Sequence, residues 1–403
     1  MTRRSKRTIA LLSVVTLVAL LAAVRFAGVA INNADGRVLG YSRATGEWLA
    51  LEYPNYPASI DGPYVYLHDG QRQQLRLRRN ATGTIEATRS PLTATEVKVE
   101  VDQAGAAGFK VPLRPDYPRG ATSVPMPSRL LVASDFEGDF AAFTTLMQGN
   151  GVIDAQLHWT YGDGQLVLVG DMVDRGRNVL PLLWLVYRME AEAKAAGGAV
   201  HYVLGNHEQK LLTGRASDVD RKYLGTIRLA GQSHQTLWDE RSELGRWLRS
   251  KPVLIKVGDY LFTHGGVSPD VLALRPTLDQ VDSYAASVLA DDPRKITDAR
   301  AKAIIWDRMG LLWYRGLAMD MVGMPKAEPA HVQQVLRHFG VRHVVIGHTI
   351  ARHVGHDYDG AVVRVDVDHA AGSREALLIE GEAVHRVDAD GTRNALARAI
   401  NAD

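Results

Sequence analysis

Five segments of the 403-residue sequence place side chains able to bind a cation directly after a short apolar run. They read Ser134-Asp135-Phe136-Glu137-Gly138, Gly170-Asp171-Met172-Val173-Asp174-Arg175-Gly176, Gly205-Asn206-His207-Glu208, Thr263-His264-Gly265-Gly266 and Gly347-His348-Thr349. Carboxylate, amide and imidazole donors suit divalent metals. The chain has no cysteine, which removes thiolate ligands, disulfides and a Cys nucleophile together. Taken singly, a strand-end Asp is more often a helix cap and a lone His more often a satisfied core residue. All five in order, each after an apolar run and beside a turn glycine that permits a sharp bend and a close ligand approach, point instead to one metal centre.

Such a centre needs rigid supports. The apolar runs at 129–133, 166–169, 200–204, 253–257 and 343–346 read as buried strands. A helix is expected over 179–196, with a Glu190–Lys194 pair one turn apart. Strand alternating with helix predicts an α/β core whose working residues sit at strand ends. Residues 208–250 and 268–335 are more polar and helical and read as insertions over that core, with the Trp238 and Trp247 pair packing there. Before it, residues 31–120 form a β-rich module. Leu75 and Leu77, Val97 to Val101, and Phe109 to Leu113 alternate with polar neighbours, and Asp69-Gly70 suits a hairpin turn. That module reads as a small sandwich acting as spacer or docking unit, with no polar cluster of its own that looks catalytic. Five prolines between Pro112 and Pro127 predict a linker near 114–128. The catalytic domain then spans 128–390.

Formal net charge is +2, so no strong field points to nucleic acid as partner. The basic cluster Arg3 to Arg7 precedes an apolar run from Ile9 to Val24. Residues 1–30 therefore read as a signal peptide or a single membrane anchor, placing the remainder in the periplasm or otherwise outside the cytoplasm. Cleavage after Gly28-Val29-Ala30 and retention as an anchor both stay open.

Gly-Asp-x-Val-Asp-Arg-Gly at 170–176, Gly-Asn-His-Glu at 205–208 and His-Gly-Gly at 264–266 resemble the signatures of the calcineurin-like metallophosphoesterase superfamily, in its phosphoprotein-phosphatase branch. Leu312-Trp313-Tyr314-Arg315-Gly316 further resembles the bacterial Shewanella-like protein phosphatases. The resemblance implies an α/β (α+β) sandwich, a two-sheet core flanked by helices, and a metal-dependent hydrolase of phosphate esters. It implies that Asp135 and Asp171 hold a first metal, that Asp171 bridges to a second, and that Asn206, His264 and His348 complete the second site. His207 would be the general acid, oriented by Asp174, while Arg175 and, less centrally, Arg315 would clamp phosphate oxygens. Two divalent ions roughly 3.5–4 Å apart acidify a shared water and stabilise both the attacking and leaving oxygens.

One position departs from the family. Where its first motif has Asp-x-His, this chain has Asp135-Phe136-Glu137. Either Glu137 replaces the imidazole, making an oxygen-rich first site that favours Mn²⁺ or Fe over Zn²⁺, or the first site is defunct. The expectation is the former: a phosphomonoesterase acting on phosphoprotein (Tyr or Ser/Thr) or a small phosphate ester. A phosphodiesterase or dinucleoside-polyphosphate hydrolase is the second reading, and a non-catalytic envelope protein that binds phosphate groups is the third. Asp366 and Asp368 read as a solvated strand face or as outer contacts of the centre. His353, His356 and His369 read as surface residues, and Gly162-Asp163-Gly164 as a turn.

Overall fold

The computed structural model describes residues 56–402 and, ahead of them, the backbone of three antiparallel strands, Ala30–Asn32, Val38–Ser42 and Glu47–Leu51. The expected leader lies, up to Val29, outside the described residues. Two six-stranded sheets form the centre. The first runs Ala199–Val203, Gln165–Val169, Arg129–Ala133, Glu375–Glu380, Ala383–Asp388, Arg393–Ala395. Its first three strands are parallel and the rest antiparallel. The second runs Gly355–Asp357, Val362–Arg364, His343–Ile346, Tyr260–Thr263, Leu254–Val257, Ser123–Val124.

Side-chain alternation explains why these strands are apolar on both faces. Leu130, Val132, Val167 and Val169 pack against Ile255, Phe262, Val345 and Val363 between the sheets. The intervening Leu131, Ala133, Leu166 and Leu168 face outward into a larger core shared with the helices Phe140–Gly149 and Val179–Ala195. A strand covered on both faces has no polar side to present, hence the unbroken apolar runs. Register brings the working loops together: Ala133 pairs with Leu168 and Val169 with Val203, so the turns that follow lie side by side.

The β-rich region is built as expected at its hairpin. Strands Asp61–His68 and Gln71–Arg79 are joined by Asp69 (φ 48°) and Gly70 (φ 76°), the left-handed pair that a tight hairpin requires. Ile85–Pro91 completes that sheet, and Glu96–Val99 pairs with Phe109–Pro112. These strands bury Tyr64, Leu75, Val97, Val99 and Val111 in the core that holds Trp184 and Phe143, so they brace the catalytic helices directly. Trp184 Nε1 donates to Pro63 O at 3.1 Å and Arg188 Nη1 to Lys110 O at 3.1 Å. The proline-rich stretch is anchored too: Arg119 pairs with Asp282, and Ser123–Val124 joins the second sheet. Among the described residues no helix is long and apolar enough to cross a membrane.

Glu190 corrects a local expectation. It pairs with Lys251 at 2.6 Å and Arg114 at 3.0 Å and accepts Trp247 Nε1 at 2.8 Å, while Lys194 is exposed. The half-buried cations of distant segments outcompete the same-helix neighbour because burial strengthens their pull. Replacing Glu190 with Ala leaves two cations without their partner and is expected to lower stability by about 3 kcal/mol, whereas Lys194→Ala should change it by less than about 0.5 kcal/mol. Urea unfolding of the two variants tests this.

Candidate active site

Six site residues other than glycine adopt left-handed backbone: Asp135 (φ 56°), Glu137 (47°), Asp171 (54°), Asp174 (71°), Arg175 (51°) and His348 (64°). Each costs about 1–2 kcal/mol in an L-residue and persists only where neighbours impose it. The imposing contacts run between loops. Asp135 N donates to Gly170 O (3.0 Å), Glu137 N to Asp171 O (2.9 Å), Gly138 N to Met172 O (2.9 Å) and Gly347 N to His264 O (2.9 Å). Two glycines are dictated by close approach. A Cβ on Gly205 would lie 2.1 Å from Asp171 Oδ1, and one on Gly347 would lie 2.2 Å from Ser134 Oγ.

The loops converge on a cleft of about 480 Å³ lined by Asp135, Glu137, Asp171, Arg175, His207, Arg315, His348 and Asp366, among others. At its floor Asp171 Oδ2 stands 3.0 Å from His264 Nε2 and 3.8 Å from His207 Nε2. The Nδ1–H of His264 donates to Val169 O at 2.7 Å, which turns Nε2 toward Asp171 and the Asn206 Oδ1, 3.0 Å away. The His348 ring lies 4.9 Å from that of His264. Asp171, His264 and His348 present donor atoms all within 4.8 Å of one another, as do Glu137, Asp171 and His207. Asp135 accepts from Ser134 Oγ and, at 3.2 Å, from His348 N. This buried oxygen and imidazole set fits a divalent cation, each histidine oriented through its other ring nitrogen or backbone as metal ligands generally are.

His207 is held through Nδ1 by Asp174 Oδ2 at 2.8 Å, leaving Nε2 toward the cleft with Lys210 Nζ 3.4 Å away. Burial depresses the His207 imidazole, but Asp171 and Asp174 outweigh it and raise it to about 9. His264 follows the same pattern: burial lowers it, Asp171 and Asp135 raise it, and the result is about 9. Asp171 is held well below the usual carboxylate range, since the facing His264 and His207 overcome its burial. Asp135 and Asp366 are pushed well up, by burial first and then by neighbouring carboxylates. Arg175 pairs with Glu137, and Arg315 donates to His348 O and lies 3.3 Å from Thr349 Oγ1.

Every side chain expected from the sequence thus lies in or beneath one cleft, but Glu137 contacts the phosphate-clamp candidate Arg175. Several participants escaped the sequence reading. Glu208 is fully buried and accepts from Gly205 N (2.6 Å), Asp171 N (2.9 Å), Met172 N (2.8 Å) and Tyr202 OH (2.8 Å), locking two loops together. Its place in the Gly-Asn-His-Glu motif was the available signal. Asp366 is 3% exposed in the cleft wall, while Asp368 is exposed, so the pair does not share one solvated face. His369 is buried against Phe136 with ring centroids 4.1 Å apart, contrary to a surface position, because the apolar ring between the two acidic residues needs a cover. Asp102 and Gln103 of the β-rich region also line the cleft, and Asp102 pairs with Arg177 at 3.0 Å.

The shifts set a pH dependence for the metal-free protein. A histidine raised from about 6.5 to about 9 contributes stability that is complete below about 6.5 and is lost as pH rises through about 9. The raised Asp135 and Asp366 act in the same direction. Chelator-stripped protein should therefore melt at progressively lower temperature from pH 7 to 9. Protein loaded with Mn²⁺ should show a flatter profile, because a cation takes over the proton's role; differential scanning calorimetry at both pH values checks this.

A profile of the calcineurin-like phosphoesterase family matches residues 128–352. The Shewanella-like protein phosphatase 1 of Plasmodium berghei is 22% identical over 223 residues, 55% of this chain and 61% of that protein, so the chain spans less than two thirds of this relative. A symmetrical bis(5'-nucleosyl)-tetraphosphatase of Chromohalobacter salexigens is 31% identical over 137 residues, 34% of this chain and 43% of the other. The crystal structure of a cold-active protein-tyrosine phosphatase from a psychrophilic Shewanella species matches with a TM-score of 0.75 at 29% identity, covering 84% of this chain and 100% of that one. With the motif loops gathered on a two-sheet core and more than half its length matching the family, the chain belongs to the calcineurin-like phosphoesterases.

Proposed function

We propose that this phosphatase is a dinuclear-metal phosphomonoesterase acting on phosphorylated protein, with phosphotyrosine preferred and His207 as its general acid. The observation that carries the reading is the His207–Asp174 contact of 2.8 Å on Nδ1, which turns Nε2 toward the cleft that Arg175 also lines, with Asp171 Oδ2 3.8 Å and Lys210 Nζ 3.4 Å away. Asp135, Asp171, Asn206, His264 and His348 would hold the cations, which when bound acidify water and offset phosphate charge. Arg175 would bind equatorial phosphate oxygens through its planar fork once it releases Glu137. Held against Asp174, His207 keeps a proton on Nε2 at neutral pH for the departing alkoxide or phenolate. The cleft, about 480 Å³, accommodates an aryl phosphate, and the likeness to a protein-tyrosine phosphatase supports that preference. An oxygen-rich first site supports Mn²⁺ or Fe ahead of Zn²⁺. The basic and then apolar N-terminal sequence supports action outside the cytoplasm, secreted or anchored to the membrane.

A dinucleoside-polyphosphate substrate is the second reading, favoured by the similarity to the tetraphosphatase over 137 residues. Turnover of p-nitrophenyl phosphate, bis-p-nitrophenyl phosphate, a phosphotyrosyl peptide and diadenosine tetraphosphate, with Mn²⁺, Fe²⁺ and Zn²⁺ in turn, separates the two. The peptide and the monoester should lead; preference for the tetraphosphate would reverse the assignment. His207→Ala should cut kcat about 10²- to 10⁴-fold for phenyl phosphate, the range of general acid catalysis, and much less for p-nitrophenyl phosphate, whose leaving group needs little protonation. Equal losses on both would remove His207 from the acid role.

A further inference from the structure

Within the dinuclear reading above, we propose that Asp366 is the third protein ligand of the first metal site, in place of the imidazole that Asp135-Phe136-Glu137 lacks. Glu137 instead acts as a latch on Arg175. Glu137 is half-buried, its carboxylate engaged by the Arg175 guanidinium and within 4.8 Å of donor atoms of Asp171 and His207. Asp366 is the deeper group. It follows the strand Val362–Arg364, and its neighbours Val365 and Val367 are buried between the sheets, so alternation turns the Asp366 side chain to the opposite face, into the cleft.

The backbone there is fixed relative to the metal loops. Val365 N donates to Ile346 O at 2.9 Å and Ala351 N to Asp366 O at 2.9 Å, which ties the segment to both sides of His348. The Phe136–His369 stack, together with the 3.1 Å contact from His369 Nε2 to Ser134 O, ties it to the loop carrying Asp135. Yet the Asp366 carboxylate, 3% exposed, makes no hydrogen bond and no ion pair within 4 Å among the described residues, Arg315 and Arg364 attracting it only from further off. A buried carboxylate without a partner is strongly destabilising, and one pointed at other buried carboxylates more so. Asp135 and Asp366 belong to none of the three three-donor sets closed within 4.8 Å among the described residues. Two buried like charges repel, and a shared cation is what would draw them together.

The test counts metal rather than turnover. After loading with Mn²⁺ and gel filtration, elemental analysis should give two ions per chain for the unaltered protein, one for Asp366→Asn and two for Glu137→Gln. In the metal-stripped state Asp366→Asn should melt above the unaltered protein, since a repulsive charge is gone, and should gain less on adding Mn²⁺. Glu137→Gln should bind inorganic phosphate about fivefold more tightly, its Arg175 no longer occupied. The metal count of the Glu137→Gln variant, set beside that of Asp366→Asn, decides between the two carboxylates. One ion in Glu137→Gln, or two in Asp366→Asn, would overturn the assignment. One ion in the unaltered protein would overturn the dinuclear reading and this assignment with it.

Discussion

The centre of this protein is a concentration of buried charge, carboxylates held against imidazoles and against one another away from bulk water. Asp135, Asp171 and Asp366 meet at the ends of two sheets with His264 and His348 beneath them, all at most 8% exposed. Electrostatic cost is compounded by conformational cost. Six left-handed residues at about 1–2 kcal/mol each approach the whole net stability of an ordinary domain, about 5–15 kcal/mol. Such a site exists only because the surrounding structure over-determines it. The parallel register of Arg129–Ala133, Gln165–Val169 and Ala199–Val203 sets the loops side by side, and loop-to-loop backbone bonds then fix their turns.

Glu208 is the link between that frame and the chemistry. Its two oxygens receive three backbone amides and a tyrosine hydroxyl, which sets the bend after Val169 and the start of the helix Asn206–Leu212 relative to each other. Asp171 and His207 are thereby brought into contact, with His207 N donating to Asp171 Oδ1 at 2.9 Å. The β-rich region serves the same frame from outside. By covering Val179–Ala195 it stabilises the helix that follows the Asp174 loop, and through Asp102, which pairs with Arg177 and donates from its backbone N to Asn178 Oδ1 at 3.0 Å, it reaches the rim of the cleft.

Much of this was legible in the sequence, for a physical reason. Strands buried on both faces must be apolar without interruption, so the abrupt change to Asp, Asn or His at their ends is conspicuous, and all five loops were identifiable. Strands with one wet face left a weaker trace: Ala383–Asp388 and Arg393–Ala395 stay half-exposed and carry His385, Arg386 and Asn394, which gives no contrast. Asp366 was ambiguous for a related reason. Alternation told that it opposes Val365 and Val367, but whether its face meets water or a cleft depends on the loop of His348 lying across it. Glu190 was misassigned because the helical neighbour is visible in sequence, whereas Lys251 and Arg114 reach it only through the fold.

A carboxylate ligand in place of the family's imidazole would change more than ligand identity. A neutral nitrogen donor leaves a divalent cation most of its charge, and with it the power to acidify water and to draw in a phosphate dianion. A third carboxylate, as proposed for Asp366, would cancel part of that charge. The cleft holds a counterweight in Arg175 and Arg315, whose positive charge lies on the same lining as the carboxylates. Arg175 is already paired with Glu137, so an incoming phosphate group must exchange one carboxylate contact for its own rather than meet a bare cation. That exchange favours ligands carrying two negative charges over those carrying one, because a monoester dianion recovers more from Arg175 than a diester monoanion while the cost of displacing Glu137 is the same for both. Selection for monoesters would then arise from electrostatics in the cleft as well as from its size.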